Sequence, residues 1–114
     1  MKMWMINPKL MCDKHLLGEH GEIHKHKHNF EKKHKMDGRL APIIQIEPMS
    51  MQIRHDYLVE EIIERGMNHK SPFVQPDVSY LGENANAKVD IVKSVIDLRY
   101  RCKECRKRIN EQLY

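Results

Sequence analysis

Between Asp13 and Lys25 the chain sets Glu19 and Glu22 among His15, His20 and His24, with Lys14 and Lys25 near either end. Carboxylates and imidazoles side by side can move protons, and the flanking cations suit an anionic substrate. Wound as a helix at about 100° per residue, His15, Glu19, Glu22 and His26 fall within about 60° of one another. They border an apolar stripe of Cys12, Leu16, Ile23 and Phe30, so one wall of a cleft could be core. A carboxylate half-sheltered in such a place tends to have a raised pKa and can exchange protons near neutral pH, as general acid–base work requires. The same spacing describes an ordinary solvated helix face with carboxylates paired to Lys and His one turn away, and spacing alone favours that plainer account.

The elements that would position these residues are helical. Asn7-Pro8 is a helix-start signal, since Asn caps free N–H groups and Pro tolerates the first helical position, and a first helix is expected from about Pro8 to Lys35. Gly18 and Gly21 weaken it by roughly 1 kcal/mol each relative to Ala unless the missing side chains make room for something. Asp37-Gly38 ends the unit. Residues 40 to 47 show no clean alternation and read as an extended linker over the core. Pro48 opens a second helix to about Arg65, burying Met51, Leu58 and Ile62, with Gly66 as its stop. Residues 67 to 84 form a loop, and a third helix from about Asn86 to Asn110 buries Ile91, Val95, Leu98, Cys102 and Ile109. The expected fold is a small single all-α domain of three main helices with long connecting loops.

At 114 residues the chain makes about one domain, so its site should lie on an open face, not in a deep cavity between domains. Twenty Lys and Arg against sixteen Asp and Glu give a net charge of +4. Eight His would add charge as pH falls through about 6.5, making a polyanion the first partner to consider. No apolar run approaches the roughly 18 residues of a membrane span, and Met1-Lys2-Met3-Trp4-Met5 is too short and mixed for a secretory signal. An intracellular protein whose three cysteines are thiols is expected. The eight Met suggest an adaptable core.

The run Asp13-Lys14-His15-Leu16-Leu17-Gly18-Glu19-His20-Gly21-Glu22-Ile23-His24 resembles the first-helix signature of the phage pyrimidine-dimer DNA glycosylases, the endonuclease V family. A second segment resembles that family's second helix and following turn. It runs from Arg54-His55-Asp56-Tyr57-Leu58-Val59-Glu60-Glu61 through Glu64-Arg65-Gly66-Met67-Asn68-His69-Lys70. The resemblance implies a bifunctional glycosylase and abasic-site lyase, a monomer acting on ultraviolet-damaged or abasic duplex DNA in a host cytoplasm. It implies no membrane, no cofactor and no metal. In the family an N-terminal amine attacks the sugar C1′ and displaces the base, leaving an imine that a glutamate helps to β-eliminate. The matching glutamate is Glu22. His15 and Glu19 match neighbouring active-site positions, Lys25 matches a basic residue near the phosphates, and Gly21 stands where better-known members carry arginine.

An N-terminal amine suits this chemistry. With a pKa near ~7.7 to 8.0 it is roughly a tenth unprotonated at pH 7, whereas a lysine at ~10.4 is unprotonated in fewer than about one molecule in a thousand. Lys2 should leave Met1 in place, so either the Met1 amine serves or the lyase chemistry is altered or absent; Lys2 is a weaker imine former. Lys2, Lys25, Lys27, Lys32 and Arg54 are expected to contact DNA. So is the cationic run 99–108, with Arg99, Arg101 and Arg106. Two further classes stay open: a duplex-binding module of the same fold without lyase activity, and a histidine-rich metal-binding protein.

His24 and His28 are one turn apart and could chelate zinc or nickel, although a defined site needs further ligands. Cys102-Lys103-Glu104-Cys105 has zinc-knuckle spacing without a second Cys pair; Cys102 reads as a buried small residue, with completion by Cys12 or a histidine left open. His55 projects to the apolar side of the second helix, as a core or a site histidine. Arg54, like Arg65, is a DNA or carboxylate partner. Trp4 and Phe73 are packing groups or wedges at a kinked duplex.

Overall fold

The computed structural model describes residues 2–69 and 72–113, and among these there are helices and no strand. Asn7 does cap as expected, its Oδ1 accepting from the Lys9 N–H at 3.0 Å, but it starts only a single 3-10 turn, Pro8–Leu10. The backbone then extends through Met11 and Cys12 before α1, Asp13–Glu31. Cys12, Leu16, Ile23 and Phe30 are all buried along α1, as their period requires. Lys33, at φ 55°, ends this segment short of the expected Lys35, and Asp37–Leu40 forms a separate one-turn helix, α2.

Of the expected extended linker 40 to 47, Leu40 belongs to α2 and residues 41–43 bend, and the remainder crosses the core, burying Ile46. Its Gln45 carbonyl accepts from the Met3 N–H at 2.8 Å, which pins the start of the chain beside it. A 3-10 turn, Pro48–Ser50, leads into α3, Met51–Glu64, which packs on α1 and stops at Gly66 with φ 79°. Arg65 ties the end of α3 to the start of α1. It donates to Glu61 and Asp13, both at 2.9 Å, and to the Pro8 and Met11 carbonyls. Its role as a carboxylate partner is thus structural.

Of the expected loop 67 to 84, residues 67–69 and 72–78 have no regular structure, 70 and 71 lie outside the described residues, and 3-10 turns run over Ser79–Asn86 with a kink at Gly82. The expected third helix is two. α4, Ile91–Arg101, starts at Asp90, whose carboxylate accepts from the Lys93 N–H; α5 spans Lys103–Leu113. Cys102 separates them with φ −120° and ψ 113°, and its sulfur lies 3.4 Å from the Cys105 N–H, capping the new helix. Leu98 and Ile109 are buried and Val95 and Cys102 half-buried, whereas Ile91, the first residue of α4, is exposed. One hydrophobic core runs from Met3 to Cys105, inside a slab of 43 × 33 × 16 Å.

Candidate functional site

A cleft of about 550 Å³ opens where four segments meet. The chain start supplies Lys2 and Trp4, α1 supplies Lys14, His15, Gly18, Glu19 and Glu22, the crossing segment supplies Ile43 and Gln45, and α4 supplies Lys93, Asp97 and Arg101. Three of the four residues expected to be catalytic, Glu22, His15 and Glu19, therefore converge. Met1, the fourth, lies outside the described residues. A Cβ at Gly18 would meet nothing within 4 Å, so the space its missing side chain leaves is open cleft.

The two glutamates differ. Glu19 is 1% exposed and receives two hydrogen bonds from Arg54, 2.6 Å from Nε and 2.9 Å from Nη2. Arg54 also donates to the Ile6 carbonyl at 2.6 Å and approaches the Met11 sulfur at 3.5 Å. Its guanidinium is spent inside the protein, which bears out its reading as a carboxylate partner and corrects the expectation that it contacts DNA. The clue was present in the sequence, since Arg54 lies on the buried side of α3 with Met51 and Leu58. Glu22 is 6% exposed, and its Oε2 has no hydrogen-bond partner. His26 Nε2 lies 3.4 Å away but out of line for a hydrogen bond. Burial, then Arg39 and Lys25, push His26 down to about 4, so at neutral pH it is uncharged and the contact is not an ion pair.

The solvated-face account therefore does not hold for Glu19, Glu22 or His26, which are all buried. Nor do the histidines all gain charge near 6.5. His20 is held down to about 4 by burial and by His24, His55 and His69. His15 and His24 are lowered as well, first by burial.

The rim of the cleft is cationic. Lys2 Nζ sits 3.8 Å from Asp97 and 4.9 Å above the Trp4 ring. Among the described residues Lys14, Lys93 and Arg101 form no ion pair and are exposed. Lys93 was not singled out from the sequence, and Lys14 only as a cation flanking the site, not as a DNA contact; it shares the open side of α1 with Gly18 and Lys25, within about 40° in projection. Lys25, Lys32, Arg99 and Arg106 are exposed. Lys27 lies on the other side of α1, its Nζ 5.3 Å over the Phe73 ring, so it does not share the cleft surface. Trp4 lines the cleft with its ring edge-on to His15 at 5.9 Å, whereas Phe73 is buried and stacks on His55 at 5.0 Å.

Two histidine and cysteine clusters stand outside the glutamate pair. His24 groups with His20, His55 and His69, not with His28, which is exposed. Cys102 and Cys105 group with Cys12 and His15. His55 is buried on the apolar side of α3, as its projection predicts.

A sequence model of the family described as pyrimidine dimer DNA glycosylase matches residues 1–75 of the 114. The match takes in α1, the crossing segment and α3, and so every cleft residue except those of α4. No curated protein and no solved structure matches the chain.

Proposed function

The chain belongs to the pyrimidine dimer DNA glycosylase family, and from that premise we propose that it excises damaged pyrimidines from duplex DNA and cleaves the strand at the abasic site. The observation that carries this reading is the Glu22 carboxylate, buried in the cleft with an unpartnered Oε2 below a cationic rim. Buried polar atoms are normally satisfied, and a cleft-lining carboxylate whose buried oxygen has no partner is little committed within the fold, which suits it to take a proton from substrate.

The nucleophile we propose is the Met1 amine, neighbour to Lys2 in the cleft lining. Its lone pair attacks C1′, the C1′–N bond breaks, and the departing base takes a proton. Loss of an amine proton and opening of the sugar ring give the imine. Glu22 then accepts a C2′ proton while the C3′–O bond to phosphate breaks. Glu19 contributes by locking Arg54 beneath the site, and His15 borders it from beside Trp4. Lys14, Lys93 and Arg101 bind phosphates on either side of the lesion, and base displacement from the stack exposes the sugar. A monomer working in a host cytoplasm completes the reading; no helix among the described residues is long and apolar enough to cross a membrane.

Gly21, exposed and without a side chain where the resemblance puts an arginine, favours a second reading as a duplex-binding module without lyase activity. Borohydride trapping on an abasic-site duplex separates the two. The enzyme reading expects a covalent adduct that maps to the Met1 amine and is lost on blocking that amine or on Glu22→Gln. No adduct, with salt-sensitive duplex binding retained, leaves the module.

A further inference from the structure

Cys12 is the residue before α1 and Cys102 the residue before α5, both with extended backbone. His15 and Cys105 stand three residues further on, so two helix starts of the same design, cap residue plus third position, face each other. Cys12 Sγ lies 3.2 Å from His15 Nδ1 and 3.8 Å from Cys102 Sγ, and Cys105 Sγ is 3.5 Å from His15 Nδ1. All four donor atoms fall within 4.8 Å of one another. A tetrahedral zinc with Zn–S of about 2.3 Å and Zn–N of about 2.0 to 2.1 Å separates its sulfurs by about 3.8 Å and sulfur from nitrogen by about 3.5 Å.

The surroundings suit thiolates. The Cys12 N–H, from the residue before α1, points at Cys105 Sγ at 3.3 Å, and the Cys105 N–H, from the first turn of α5, points at Cys102 Sγ at 3.4 Å; helix starts favour negative charge. We propose that Cys12, His15, Cys102 and Cys105 hold one zinc ion. Four protein ligands leave no open position, so the ion is structural and clamps α5 to the start of α1. Thiols bind zinc as thiolates, so the metal enters as the thiol protons leave. The clamp also braces the cleft, because His15 and Arg101, next to Cys102, both line it.

The test is the metal content and thiol reactivity of the purified chain. The expected result is stoichiometric zinc that survives dialysis, with all three cysteines unreactive towards a thiol reagent until a strong chelator removes it. Cobalt in its place should give the sulfur-to-metal charge-transfer bands of a tetrahedral thiolate site. Those bands should persist in changed form in His15→Cys, which keeps four donors and guards against a variant that merely misfolds. Cysteines equally reactive with and without chelator, or cobalt bound without thiolate bands, overturn the proposal.

A separate observation carries a second site. His20 and His24 from α1, His55 from α3 and His69 beyond it bring four ring nitrogens within 4.8 Å. His24 and His55 Nε2 are 3.2 Å apart, while His20 and His69 Nε2 are buried with no partner. Asp56 lies 3.0 Å from His55 Nδ1, where it fixes the tautomer that turns the Nε2 lone pair inward, the usual support behind a metal-bound histidine. The geometry points to a late first-row divalent ion, zinc or nickel, on the four imidazoles. A second metal equivalent is expected, lost in His20→Asn while the thiolate–cobalt bands remain. Unchanged total metal in His20→Asn, or a native chain with no equivalent beyond the thiolate site, overturns this second assignment.

Discussion

Glu19 and Glu22 lie one helical turn apart on α1, both buried, and their surroundings are opposites. Around Glu19 the protein supplies two guanidinium hydrogen bonds, and Arg54 in turn has its remaining donors on a carbonyl and a sulfur. Around Glu22 it supplies an uncharged histidine at a poor angle and an open cleft. Burial alone does not distinguish a structural carboxylate from a reactive one; the number of partners left unfilled does. Both arrangements cost desolvation, but only the first is offset by hydrogen bonds within the fold.

Substitutions at these two sites should therefore fail in different assays. Glu22→Gln should lower strand cleavage by about 10²- to 10⁴-fold, the range for general acid–base catalysis, with a urea unfolding midpoint equal to or above that of the native chain. A midpoint that drops sharply instead would make Glu22 a second structural carboxylate. Glu19→Gln should lose about 3 to 5 kcal/mol of stability, because it strands the buried guanidinium, and chemical denaturation reads this directly. Wild-type stability in that variant would break the contrast from the other side.

The rim sharpens the same comparison on a smaller scale. Lys14→Met and Lys93→Met should each reduce the slope of log K against log salt for duplex binding by about 0.9 for every phosphate left without its cation. Lys27→Met, on the opposite side of α1, should leave the slope unchanged. A pH effect bears on stability alone. His26 titrates near 4 in the fold and near ~6.5 when unfolded, so its contribution is complete above about pH 6.5 and is lost as pH falls from there towards 4. Urea midpoints measured across that window should fall with pH, and less steeply in His26→Leu.

Much of this arrangement was legible along single elements. The period of Cys12, Leu16, Ile23 and Phe30 identified the buried side of α1 and placed Glu19, Glu22 and His26 beside it, whereas spacing alone favoured a solvated face for them, and only the packing of other segments over α1 buries them. Pro48 and Gly66 bracketed α3 because proline geometry and a left-handed stop are local requirements. What escaped depends on the meeting of distant segments. Nothing within α4 marks Lys93 or Asp97 as cleft residues until the helix is laid across the chain start. The break at Cys102 sits among good helix formers and follows from sulfur capping and the meeting with Cys12, 90 residues earlier in the chain. At Arg54 the charge of the side chain conceals its place in the buried stripe.

Met3 is fully buried, held through its N–H by Gln45, and Lys2 just ahead of it already lines the cleft. That anchoring has a practical side for anyone preparing the protein. An affinity tag joined ahead of Lys2 would start beside the cleft and would mask the very amine whose reactivity is in question. Apparent inactivity of such a preparation would describe the tag. A tag placed after α5, or one cleaved without residue at the front, is the form in which the trapping assay reports on the protein itself.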